Sequence, residues 1–303
     1  MPYRLWTMFR LNDLRLTTFM TSREKPRKVL VTGATGRTGS RIVDRLAARG
    51  VAYRAGSRIG DPRFDWHDRL SWPAALNGID AVYLCYAPDL AAPGAAELIG
   101  EFTAAAAAAG VRHAVLLTGR GEAGAERAIK AVQSNISEWT ILQASWFAQN
   151  FSEHVLLGPI QRGRLLLPAG EVHEPTIDLD DFADAAVNVL TEDGHAGRTY
   201  ELTGPESLSF AQMAQRLSAA TGREISYHAS DVAEFVADLA IAGIPAEDAV
   251  PLAEMLSSIF DGRNAEVSED LAAILGRPTR SFAEYANAAA RTGLWHASDP
   301  AGV

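Results

Sequence analysis

The residues best suited to chemistry lie in Gly33-Ala34-Thr35-Gly36-Arg37-Thr38-Gly39. The run follows Lys28-Val29-Leu30-Val31-Thr32, a short apolar, β-branched segment that reads as a buried strand. It precedes Ile42, Val43 and Leu46 at helical spacing, with Gly50 as a stop. Strand, GxxGxxG and helix together form an anion site. Gly33 permits a tight exit from the strand, Gly36 lets the backbone approach a pyrophosphate, and Gly39 lets the helix pack close to the strand. First-turn N–H groups and the helix dipole then face the anion, and the Thr35 and Thr38 hydroxyls add donors. No GxxxxGK[ST] occurs, so the expected ligand is a dinucleotide rather than ATP.

The second strand, Val51–Ser57, selects between dinucleotides. NAD sites place an acid at its end to bind the ribose hydroxyls. Here the strand ends in Ser57 and Arg58, with no acid before Asp61. A guanidinium pairs with a phosphate through two donors at once. Arg58 is therefore expected to meet a 2′-phosphate, with Arg37 as a second contact from the loop. NADP is the first choice and NAD the second.

The elements that position these residues alternate. Strands are expected at Asp80–Tyr86, His113–Thr118 and Trp139–Gln143, and helices at Ala95–Ala109 and Glu122–Ser134. Such alternation means βαβ units and a Rossmann-type, doubly wound parallel sheet of the α/β class. After about residue 150 the pattern changes to short strands (Arg164–Leu167, Thr199–Leu202) among helices. The expected organisation is an N-terminal extension over 1–27, a dinucleotide-binding domain over 28–150, and a smaller, mostly helical substrate lobe over 151–303. That lobe is expected to return a strand or two to the main sheet. Trp146, Phe147, Phe151, Phe235, Leu252, Met255 and Phe260 are candidates for its pocket.

Composition removes several functions. Cys85 is the single cysteine, which excludes a disulfide framework and a cysteine-based zinc site and fits a reducing, cytoplasmic setting. The seven histidines show no HExxH spacing, and no metal is expected. No apolar run reaches membrane-spanning length. The net charge is −9, yet residues 1–60 carry thirteen Lys and Arg against three acids. A basic front and an acidic remainder do not mark a nucleic-acid binder; the expected partner is a small molecule, with a homodimer as the assembly. Residues 1–27 are Arg-rich and poor in acid. They read as a variable extension with Met20 the truer beginning, or alternatively as an organelle-type presequence.

The segments VTGATGRTGSRIVDRL, FDWHD, GIDAVYLCYAP, HAVLLTGRGE, EWTILQASWFAQNF, TEDGHAGRTYELTGPESLSF and LGRPTRSFAEYA resemble the NmrA-like atypical short-chain dehydrogenases/reductases, in the festuclavine/agroclavine dehydrogenase-like branch. The resemblance spans most of residues 28–294. It implies that Asp65 and Trp66, after the family's third strand, approach the adenine. It places Cys85, Tyr86, Ala87 and Pro88 beside the ribose and pyrophosphate. It puts Thr118, Gly119 and Arg120 near the nicotinamide, and Ala144, Ser145, Trp146 and Phe147 in the turn over it, with Asn150 just beyond. Taken alone, several of these have plainer roles: Trp66 and Phe147 as core aromatics, Cys85 as a small core residue, Arg120 as a solvated charge. Asp178, Asp180 and Asp181 open a helix, where capping and dipole effects explain them.

Ordinary short-chain dehydrogenases use Tyr-xxx-Lys, the tyrosine protonating the carbonyl oxygen. The corresponding region here runs Gly121 to Lys130 without a tyrosine, and Glu126 stands four residues before Lys130. Two readings follow. One is an NAD(P)H-dependent reductase whose acceptor (an iminium, quinone or carbonyl) is electrophilic enough for the cofactor to do most of the chemistry; Tyr86 and Ser145 are its candidate proton donors. The other is a non-catalytic NADP-binding redox sensor of the NmrA type. The missing tyrosine argues against an epimerase.

Overall fold

The computed structural model describes residues 27–87, 89–122, 124–153 and 155–296. Most of the N-terminal extension and Pro88 lie outside the described residues.

Six parallel strands form the central sheet: β1 Val29–Thr32, β2 Tyr53–Gly56, β3 Ala81–Leu84, β4 His113–Gly119, β5 Glu138–Ala144 and, late in the chain, β8 Arg198–Leu202. Their order is β2-β1-β3-β4-β5-β8. Strands β1 and β3 are buried at every position, as a sheet covered on both faces requires. Helices α2 Trp72–Leu76, α3 Ala95–Ala108 and α4 Ala125–Asn135 cover one face around Phe64, Trp72 and Phe102. Helices α1 Arg37–Ala48 and α6 Leu179–Thr191 cover the other around Ile42, Leu46 and Phe182. The order reverses at β1, which has β2 on one side and β3 on the other, so a crevice opens at the carboxyl ends of β1 and β3, where such folds bind ligands.

The later chain divides its work. Strand β8 and helix α6 join the main layers, with α10 Asp270–Leu275 packed on α6. The rest builds a second core around Phe151, Phe210, Phe282 and Trp295. It uses α5 Leu157–Gln161, α7 Phe210–Thr221, α8 Val232–Ile241, α9 Ala246–Ile259 and α11 Phe282–Ala290, with the strand pairs β6 Arg164–Leu167 with β10 Ser226–Ala229, and β7 His173–Glu174 with β9 Leu208–Ser209. One strand, β8, thus returns to the main sheet. The expected strand at Thr199–Leu202 is one residue longer, and the helix expected from Glu122 starts at Ala125.

The acidic cluster is structural. Asp178 caps α6, accepting from the Asp180 and Asp181 amides at 2.7 and 3.4 Å. The fully buried Asp181 accepts from Arg277 at 2.8 Å and from the Arg280 amide at 2.6 Å. Among the described residues no helix is long and apolar enough to cross a membrane.

Candidate cofactor and substrate site

The glycine loop has the expected geometry for physical reasons that can be read at each position. Gly33 has φ +63, a left-handed conformation that side chains resist. A Cβ on Gly39 would stand 2.2 Å from the Gly33 carbonyl oxygen and 3.0 Å from Ala34 Cα, so only glycine allows α1 to lie this close. A Cβ on Gly36 would meet only the Gly33 oxygen, at 3.1 Å; its outward side is open. Gly36 is also the N-cap, with no side-chain cap and no acid in the first turn of α1. The first-turn amides are left for another acceptor. These features fit an anionic pyrophosphate.

Hydrogen bonds tie the loop to both neighbouring strands. The Ala34 amide donates to the Gly56 oxygen at the end of β2 (3.2 Å), which brings Ser57 and Arg58 beside the loop. Thr32 Oγ1 donates to the Tyr83 oxygen and accepts from the Cys85 amide, both at 2.9 Å, which joins the ends of β1 and β3. Arg58 is exposed, and among the described residues it has no hydrogen-bond or ion-pair partner. Arg37 departs from expectation. Its guanidinium turns away to Asn150 Oδ1 (2.7 Å) and Glu153 (3.3 Å), while its Nη2 is buried without a partner. Arg37 is thus engaged across the cleft, whereas Arg58 stands exposed beside the loop.

Beyond the loop a cavity of about 330 Å³ opens at the ends of β3, β4 and β5. Ten residues expected at the cofactor line it, among them Cys85, Tyr86, Thr118, Gly119, Ala144, Ser145 and Trp146. Phe147, Asn150 and Arg120 complete the ten, and Met255 and Phe260 close the far wall. Thr38 Oγ1 reaches Cys85 Sγ at 3.8 Å, and Arg37 reaches Asn150, so loop and cavity are contiguous. Thr118 Oγ1 and Trp146 Nε1 are buried without a partner, polar atoms left over at the cavity wall. Of the other pocket candidates, Phe151 and Phe235 are buried in the second core and Leu252 packs against it.

Several residues take other duties. Trp66 is a core aromatic, edge-on to Phe64, Tyr86 and Phe102, with its N–H donated to the Cys85 oxygen at 3.3 Å. The Asp65 carboxylate is engaged by Arg63 (2.8 Å) and the His67 amide (3.0 Å). Among the described residues no strand forms between β2 and β3, so this segment is a loop at the sheet edge. Ala87 is exposed and lies outside the lining. Burial pushes the Cys85 thiol up, which disfavours the thiolate form. Ser145 Oγ donates to the Pro175 oxygen at 2.6 Å. Its proton is committed, which corrects its reading as a donor. The Tyr86 hydroxyl has no hydrogen-bond partner among the described residues. Lys130 is exposed on α4. Arg120 is no solvated charge: it binds Glu201 and the Asn264 and Glu266 carbonyls, which pins the loop after α9 over the cavity.

Among the lining residues that were missed, two are glutamates with shifted carboxyls. Glu122 accepts from the Gly119 amide at 2.6 Å, and burial, with Asp89 nearby, raises its carboxyl to about 7. Glu174, on two-residue β7, is 3% exposed and also raised by burial to about 7. Glu122 lay three residues beyond a glycine already placed near the nicotinamide, a usable signal. Glu174 had none, because a two-residue strand leaves no periodicity.

Doubly wound sheet, uncapped glycine loop and adjoining cavity define a Rossmann dinucleotide-binding oxidoreductase architecture. The sequence matches no family model. It is 31% identical over 284 residues to the oxidoreductase YesF of Bacillus subtilis, covering 89% of this chain and 99% of that protein. It is 31% identical over 289 residues to the NAD(P)H azoreductase of Xenophilus azovorans, covering 86% and 97%. The structure of the Citrobacter sp. triphenylmethane reductase complexed with NADP(H) shares the fold, with a TM-score of 0.73 at 22% identity, over 86% of this chain and 99% of that one. The chain belongs to the NmrA-like atypical short-chain dehydrogenases/reductases, in the branch that includes the festuclavine and agroclavine dehydrogenases.

Proposed function

We propose that this oxidoreductase uses NADPH, with NADH second, to reduce a small electrophilic organic acceptor without a Tyr-xxx-Lys pair. One observation carries the reading: the path from Arg58 through the glycine loop runs directly into an aromatic-walled cavity large enough for a small molecule. Residues 28–150 hold the cofactor and 151–303 form the substrate lobe. The α1 amides with Thr35 and Thr38 hold the pyrophosphate, Ser57 and Arg58 the 2′-phosphate. Thr118, at the cavity wall, takes the nicotinamide end. When bound, the reduced dinucleotide supplies hydride. The chain's own residues orient and exclude water: Phe147 packs against Phe182 and Trp146 against Phe260, with ring centroids 5.5 and 5.0 Å apart, and both line the cavity. Tyr86 remains a candidate donor. The enzyme works in the cytoplasm as a homodimer, with no role for nucleic acid.

The cavity favours catalysis over a pure sensor, which needs a dinucleotide groove but no adjoining acceptor pocket. The test is NADPH absorbance in the presence of a quinone, an iminium, an azo dye and an aldehyde. Enzyme-dependent loss with at least one is expected. Tight NADP⁺ binding with no turnover of any would establish the sensor instead.

A further inference from the structure

The cavity contains an acid that the family motif does not supply. Glu174 is 97% removed from solvent, yet its side chain lines the cavity. Among the described residues its carboxyl has no hydrogen-bond partner. A carboxyl that no described protein group binds and that borders a ligand-sized space is open to a ligand there. Its position is fixed: β7 pairs Glu174 with Leu208 of β9, and the next residue, Pro175, is held to the cavity floor by Ser145.

We infer that Glu174 is the proton donor to acceptors whose reduction places a new electron pair on oxygen or nitrogen, that is, to quinone-type or azo-type acceptors. This rests on the reductase reading above. As such an acceptor takes up hydride from the reduced dinucleotide, two electrons and one hydrogen enter it. The Glu174 O–H bond breaks, the proton joins the electron-rich oxygen or nitrogen, and the carboxylate left behind recovers a proton from water at the open mouth. An iminium needs no such proton, because hydride addition already yields a neutral amine.

The surrounding charges suit an acid that is protonated near neutrality. Arg120, at the end of β4, favours the carboxylate, but its guanidinium is taken up by Glu201 and two carbonyls. Asp261, after α9, opposes ionisation. Glu122 and Asp89 line the same cavity. On its own strand His173 is exposed, and β9 offers Leu208 and Ser209 without charge. Burial is the largest influence and raises the carboxyl to about 7. The acid form is the active one, so turnover of a quinone holds below pH 7 and declines as pH rises through it.

The test compares wild type with Glu174→Gln. With a quinone, kcat is expected to fall about a hundredfold and the decline above pH 7 to vanish. With an iminium the loss stays below about tenfold, and KM for NADPH is little changed in both. In cofactor-free protein, ¹³C NMR of carboxyl-labelled glutamate should show two groups titrating near 7, one lost in Glu174→Gln and the other lost in Glu122→Gln. Equal losses with both acceptors, or a quinone rate equal to wild type, would overturn the assignment of Glu174 while leaving the reductase reading intact. Wild-type protein that turns over neither acceptor would overturn both.

Discussion

Gly39→Ala is expected to abolish measurable NADPH binding and to lower unfolding stability by about 2–3 kcal/mol. The added methyl would sit 2.2 Å from the Gly33 carbonyl oxygen and 2.7 Å from its carbon. Both are backbone atoms, so no rotamer change relieves the clash. Either α1 moves off the sheet or the loop opens, and the first-turn amides lose their alignment in both cases. Gly36→Ala separates binding from folding. Gly36 has φ −84 and ψ 177, which alanine adopts without strain, and the new methyl meets one oxygen at 3.1 Å. Its stability cost is expected to be about 1 kcal/mol or less, while the methyl occupies the side where a pyrophosphate must approach. Thermal unfolding with and without NADP⁺ reads both effects. Ligand stabilisation should be lost in both variants, and the ligand-free midpoint should drop substantially only in Gly39→Ala. Retained NADP⁺ stabilisation in Gly36→Ala would place the dinucleotide elsewhere.

Arg58→Ala is expected to raise KM for NADPH about 30-fold, with KM for NADH within about twofold of wild type. The figure corresponds to one charged hydrogen-bonded contact worth about 2 kcal/mol. Arg58 is exposed and free of protein partners among the described residues, so its removal breaks nothing in the fold. Arg37→Ala is the contrasting variant. Its guanidinium bridges α1 to Asn150 and Glu153, so both cofactors should weaken together. Steady-state kinetics with each cofactor distinguishes the two. An unchanged NADPH/NADH ratio in Arg58→Ala would remove the basis for an NADP preference.

How much was legible in the sequence depends on how local each determinant is. The βαβ alternation, the glycine loop and the gathering of Cys85, Tyr86, Thr118, Ser145 and Trp146 were legible, because each lies at the end of a periodic apolar strand and parallel strands bring those ends to one edge. Arg37 misled because its position in the loop says nothing of its partners, which lie 113 and 116 residues away. Ser145 misled likewise: its proton goes to the carbonyl of Pro175, in a segment without regular pattern. Trp66 was assigned two possible duties, and long-range packing on Phe102 of α3 selected the core. Glu174 was illegible altogether. It becomes notable only when β7 and β9 place a carboxyl in a cavity whose other walls come from β3, β4, β5 and α9.

The most direct test of NADPH-dependent reduction is the fate of deuterium on C4 of the nicotinamide. NADPH deuterated on each face of C4 in turn is incubated with the protein and an iminium acceptor, and the product amine is analysed by mass spectrometry. The expected result is one deuterium on the product carbon from one face and none from the other, which requires direct transfer within a site that orients both partners. An unlabelled amine from both forms, or no amine beyond the protein-free control while NADP⁺ still binds, would contradict it.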